Sequence, residues 1–143
     1  MKLKFLVSAL LIAATAAHSI ASAKTVDNFN FKKANTYKDG QFSDVTSDKW
    51  FASSVAASYE LGFMNGTGDS EFSPNGNVTV AQAITIASRV NDAYHVKSTK
   101  FEGGKNWYDP YVDYAVKNGI ITDGQFDSYT RNITRAEMAV VFS

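Results

Sequence analysis

The apolar positions come in two kinds of run. Phe5 to Ala17 is almost continuous, broken only by Ser8 and Thr15. Elsewhere they recur at helical spacing. Ala52, Val55, Ala56 and Tyr59 fall at i, i+3, i+4 and i+7, the stripe of an amphipathic helix. Gly62 follows, where a helix end favours a left-handed residue. A second stripe runs through Ala83, Ile84, Ala87 and Val90, and a third through Tyr111, Tyr114 and Ala115 up to Gly119. Asp109 and Pro110 stand where a cap and a first helical residue are expected. Between the stripes lie turn-forming stretches, Gly66 to Ser70, Ser73 to Asn77, and Asp123-Gly124.

The stripes belong to an internal repeat. Trp50-Phe51 matches Trp107-Tyr108, and Gly62-Phe63-Met64 matches Gly119-Ile120-Ile121 at the same offset. Phe72 matches Phe126. Val78-Thr79-Val80-Ala81-Gln82 matches Ile133-Thr134-Arg135-Ala136-Glu137 at a slightly shorter one. The length difference therefore falls in the loop. Each copy reads as helix, loop, helix, and each second helix opens on a capping box, Thr79 with Gln82 and Thr134 with Glu137. The second copy reads as cut short at Ser143, which aligns with Ser88, and an apolar stripe at Met138, Val141 and Phe142 is expected to be exposed.

The continuous N-terminal run carries a different message. Lys2 and Lys4 precede it and Ala21-Ser22-Ala23 follows it, the three-part pattern of a secretory signal peptide. Residues 1–23 are read as that signal, 24–41 as a polar spacer, 42–95 as the first repeat and 96–143 as the second, incomplete one. After cleavage no span for a membrane remains. The chain has no cysteine, so packing alone must hold it, and thiol chemistry is excluded. His95 is the one histidine outside the signal, too few for a histidine metal site or a histidine-based triad. The charge is balanced overall and slightly acidic after cleavage, which gives nucleic acid no basic surface to bind. No cofactor, metal or catalytic constellation is expected: Asp44, Asp48, Glu60, Asp109 and Asp113 all have a cap or a solvated face as sufficient reason.

The ordered set Phe42-Ser43-Asp44-Val45, Trp50, Gly62-Phe63-Met64 with Gly66, Phe72-Ser73-Pro74 and the Thr79 helix start resembles the S-layer homology repeat. Ile133-Thr134-Arg135-Ala136-Glu137 carries the signature form of its motif. The resemblance implies a mainly α fold of helix-loop-helix units packed as part of a pseudo-threefold helical bundle. It also implies an exported, non-catalytic module at the bacterial cell wall or S-layer. Its partner would be a secondary cell-wall polymer, often a pyruvylated glycan, held non-covalently in grooves between repeats. A structural or assembly role is the alternative, with the chain completing its bundle against itself or another such chain. The sequence departs from the family pattern at Val80, where the motif has arginine, and at Phe101-Glu102-Gly103-Gly104, where the Phe-x-Asp-Val start is absent.

Within the signature motif, Thr134 and Glu137 have a structural task as caps. Arg135 does not, since a cation near a helix N-terminus opposes the helix dipole. Beside free N–H groups it would clamp a carboxylate. Thr134, Arg135, Glu137, Trp107, Trp50 and Asp44 are therefore the candidate ligand contacts, the tryptophans as stacking faces for sugar rings. Val80 cannot hold a carboxylate, so the first motif is expected to be structural.

Overall fold

A computed structural model describes residues 31–95 and 98–143. The expected signal peptide lies outside them. Four helices follow in order: α1 (Ala52–Glu60), α2 (Val80–Tyr94), α3 (Asp109–Lys117) and α4 (Arg135–Val141). Among the described residues there is no strand, only an isolated antiparallel bridge between Thr79 and Asn132. The protein is mainly α, and none of the described helices is long and apolar enough to cross a membrane.

The local signals act as expected. Thr79 Oγ1 accepts from Gln82 N while the Gln82 side chain accepts from Thr79 N, and Thr134 and Glu137 repeat the exchange. The glycine ends are Schellman turns. Gly62 and Gly119 take φ of 72° and 71°. Phe63 N then donates to Ser58 O, and Ile120 N to Ala115 O, both at 2.9 Å. Asp109 differs from expectation. Tyr108 is the N-cap and Asp109 the first helical residue. Its carboxylate instead turns back onto Lys105 N and Asn106 N, at 2.8 and 2.9 Å.

The helices do not pack within their own repeat. The first repeat's α2 packs on α3 and α4, both from the second. Val80, Ile84 and Ala87 of α2 share one buried cluster with Ala115, Ile121, Phe126 and Val141. The second repeat also closes the start of α2. Val80 N donates to Arg131 O and Ala81 N to Tyr129 O, at 3.0 and 2.8 Å, so the loop before α4 takes up donors that an isolated helix would leave unpaired. Val80 is fully buried, because the first helical position here faces the neighbouring repeat.

A second cluster, Phe42, Val45 and Val55, supports the first repeat's loop. The Phe42 ring lies edge-on to Tyr59 at 5.7 Å and beside Phe72 at 5.4 Å. Gly66 closes over it at φ 88°, where a Cβ would stand 2.7 Å from the ring and 2.6 Å from Glu71 O. The described part of the spacer adds neither helix nor strand. Ala34 N and Asn35 N cap the end of α1 by donating to Glu60 O, and Tyr37 packs on Phe42 and Tyr59.

The expected exposed stripe on α4 is corrected at one position. Val141 is buried, 4% exposed, against the α2 core, while Val140 and Phe142 are the exposed apolar residues. Helical rotation puts Val141, not its neighbours, on the face that α2 covers.

Candidate functional site

A groove of about 490 Å³ opens between α2 and the loop that precedes it, with Trp107 of the second repeat on its edge. Its helical wall is the stripe Gln82, Thr85, Ile86 and Arg89, residues spaced to share one helix face. Its loop wall runs from Phe63 to Thr67 and from Phe72 to Val78. Both walls are mostly neutral, with aromatic rings and with amide and hydroxyl side chains such as Asn65, Thr67, Ser73 and Asn77.

The loop wall is built by the Phe42-Ser43-Asp44-Val45 segment. Phe42 packs against Phe72 and Gly66 of that wall. Ser43 N donates to Ser70 O at 2.8 Å. The Asp44 carboxylate accepts from Phe72 N at 2.9 Å and Ser73 N at 2.6 Å. The Phe72 N–H, foremost among these bonds, holds the Asp44 carboxyl below the usual carboxylate range. Asp44 thus ties together segments far apart in the chain, shaping the groove from behind. Thr67 and Ser73 hydroxyls meet at 2.7 Å across the same loop.

Two polar groups of α2 stand out. Thr85 is 6% exposed, and its Oγ1 has no hydrogen-bond partner among the described residues. An unmet buried hydroxyl costs about 1–3 kcal/mol. Arg89 donates from Nη1 to Phe63 O at 3.4 Å and from Nη2 to the Tyr111 hydroxyl at 2.9 Å. Its guanidinium lies 5.1 Å from the Tyr111 ring centre. Neither residue was singled out by sequence reasoning. The polar stripe Gln82, Thr85, Arg89 opposite the apolar one was the available signal.

The other candidates sit apart. Trp107 is 60% exposed and edges the groove, whereas its counterpart Trp50 is 89% exposed and contacts Phe51 edge-on. Arg135 is exposed at the start of α4 and forms no ion pair among the described residues. Glu137 is fully engaged. Its two oxygens take Arg131 Nη2 at 2.6 Å and Nη1 at 3.0 Å, as well as Thr134 N and Oγ1 at 2.9 Å. Arg131, which also pairs with Asp127 at 2.7 Å, is a residue that sequence reasoning missed. These bonds, led by Arg131, draw the Glu137 carboxyl from 4.5 down to about 2. A carboxylate depressed by folding stabilises the fold above its unfolded value and stops doing so as pH falls through its folded one. Wild type is therefore expected to lose thermal stability between about pH 4.5 and 2 more steeply than Glu137→Gln; melting curves across that range check it.

Among the described residues, four helices, with α2 covered by α3 and α4, and an open groove between α2 and the loop before it define a helical module. Residues 41–84 match the model of the S-layer homology domain, so the chain carries that domain there. It is 32% identical over 117 residues to the surface-layer 125 kDa protein of Lysinibacillus sphaericus, covering 73% of this chain and 10% of that protein. It is 31% identical over 120 residues to the amylopullulanase of Thermoanaerobacterium thermosulfurigenes, covering 76% and 6%. It is 32% identical over 97 residues to a cell surface protein of Thermoanaerobacter kivui, covering 60% and 13%. The chain thus spans about a tenth of the length of the curated relatives it matches. No solved structure matches it significantly. The relatives named as surface-layer and cell surface proteins place the chain with proteins of the bacterial cell surface, and the S-layer homology domain is a non-catalytic module.

Proposed function

We propose that the chain anchors itself to the bacterial cell wall by holding a secondary cell-wall polymer, without turnover, in the groove between α2 and the loop that precedes it. The observation that carries this reading is the groove itself: a cleft lined by hydroxyl and amide side chains and one guanidinium, with an exposed indole at its edge. That is the surface a saccharide needs, with ring faces for stacking and polar groups for hydroxyls. The two repeats form part of a pseudo-threefold bundle. Arg135 meets a carboxylate of the polymer, such as a pyruvate ketal, at the start of α4. Thr134 and Glu137 hold that helix start in shape, Asp44 shapes the groove wall, and Trp50 offers a second stacking face.

Co-sedimentation with cell-wall sacculi tests the reading, before and after extraction of the secondary polymer. Pelleting that needs the polymer and falls at least several-fold in Trp107→Ala is the expected result. A folded protein that stays in the supernatant with intact sacculi would overturn it.

A further inference from the structure

Asparagine stands directly before glycine three times in the chain, at Asn65, Asn75 and Asn118. Such a pair is chemically labile. The glycine nitrogen, with no Cβ beside it, has an open approach to the asparagine side-chain carbonyl carbon. The fold treats the three pairs differently. Gly76 N donates to Ser73 O at 2.9 Å, and Gly119 N to Val116 O at 3.1 Å. Asn118 is held further, its Nδ2 donating to Tyr114 O at 2.8 Å. At the first pair neither group is held. Gly66 N and the Asn65 side chain make no hydrogen bond among the described residues, and Asn65 is exposed to water. The glycine itself is demanded by packing, since at Gly66, with φ 88°, a Cβ would stand 2.7 Å from the Phe42 ring. Asn65 also lines the groove, and none of the groove's lining residues is acidic.

We infer that Asn65 is a self-modification site, whose conversion to a carboxylate turns the groove's loop wall anionic and loosens the chain from its polymer. The loosening rests on the wall-anchoring reading, and the modification stands on the local structure alone. Gly66 N bonds to Asn65 Cγ as the Cγ–Nδ2 bond breaks. The side-chain nitrogen leaves as ammonia, taking up the proton that Gly66 N gives up, and a cyclic imide remains. Solvent water then opens the imide at one of its two carbonyls. One opening gives aspartate, and the other gives isoaspartate, with the main chain rerouted through the side chain. Either product puts a negative charge on a wall that had none, and that charge repels an anionic polymer. Isoaspartate also lengthens the main chain beside Gly66, whose contact with Phe42 leaves it little room.

The test ages purified protein in mildly alkaline buffer, where the glycine N–H is lost more readily, and follows each asparagine by peptide mapping in a mass spectrometer. Expected in the folded protein is conversion of Asn65 at least several-fold faster than of Asn75 or Asn118, with the three rates drawing together in urea. Co-sedimentation with sacculi should fall in step with conversion, and fresh Asn65→Asp should pellet several-fold less than wild type. Asn65→Gln, whose longer side chain closes the ring far more slowly, should age without that loss and so separates this site from damage elsewhere. Conversion of Asn65 no faster than of the other two in folded protein would overturn the inference. So would a converted protein, or a folded Asn65→Asp, that pellets like fresh wild type. Fresh wild type that stays in the supernatant would overturn the anchor reading and the loosening with it, while the relative rates still decide the modification site.

Discussion

Phe42→Ala should unfold at markedly lower urea concentration, with a loss of about 3–5 kcal/mol. The ring is 2% exposed and is the largest side chain sealed in the smaller core. It touches Tyr37, Tyr59 and Phe72, so it joins the spacer, α1 and the groove loop at one point. Gly66 lies directly over it, and that close approach leaves the loop no backbone freedom to collapse into the vacancy. The cavity term therefore stays large. Phe42→Leu should lose considerably less. Because the same ring supports the loop wall, the alanine variant should also pellet poorly with sacculi under conditions where it is still folded. An equilibrium urea titration followed by circular dichroism decides the matter, and a loss below about 1 kcal/mol would count against this account of the loop.

The second large effect concerns the motif itself. Val80→Arg installs the family's usual residue, and it should destabilise the protein by about 3 kcal/mol or more. Val80 is fully buried among Ala115, Ile121 and Phe126. A guanidinium there would overfill the site and leave its charge without a partner. Arg135→Val makes the opposite exchange at the matching position of α4, where the side chain is exposed. It should change stability by no more than about 0.5 kcal/mol. Thermal melts of the two variants side by side give the comparison. A Val80→Arg protein as stable as wild type would mean that the first helical position of α2 has a route to solvent.

These outcomes bear on what could be read from the chain alone. The repeat, the helix stripes, the capping boxes and the glycine ends were legible because each is set by residues a few positions apart. The Thr134–Glu137 exchange and the Gly62 and Gly119 turns are of that kind. What α2 packs against was not legible. A stripe through Ile84 and Ala87 says which face is apolar, and nothing in it names the second repeat as the cover. Asp44 shows the same limit. As an acid before a helix it reads as a cap or a ligand contact, yet it reaches the amides of Phe72 and Ser73. Of the candidate site, Trp107 was found where it edges the groove, while Thr85 and Arg89 were passed over as an ordinary polar helix face. Thr85 stands out by a missing partner and Arg89 by its reach to Phe63 and Tyr111, and both are visible only in three dimensions.

The bridge between Thr79 and Asn132, with the Val80 and Ala81 amides bound to Arg131 and Tyr129, sets the order of assembly. During synthesis the first repeat leaves the ribosome complete in sequence but without the loop that closes its long helix. It must wait for residues 129–133 before α2 gains its cap and its core. Neither repeat should therefore persist alone, and the pair should form in a single late step, as nearest-neighbour coupling in repeat arrays predicts. The amides at the head of α2 are thus satisfied only by a part of the chain that is made well after them.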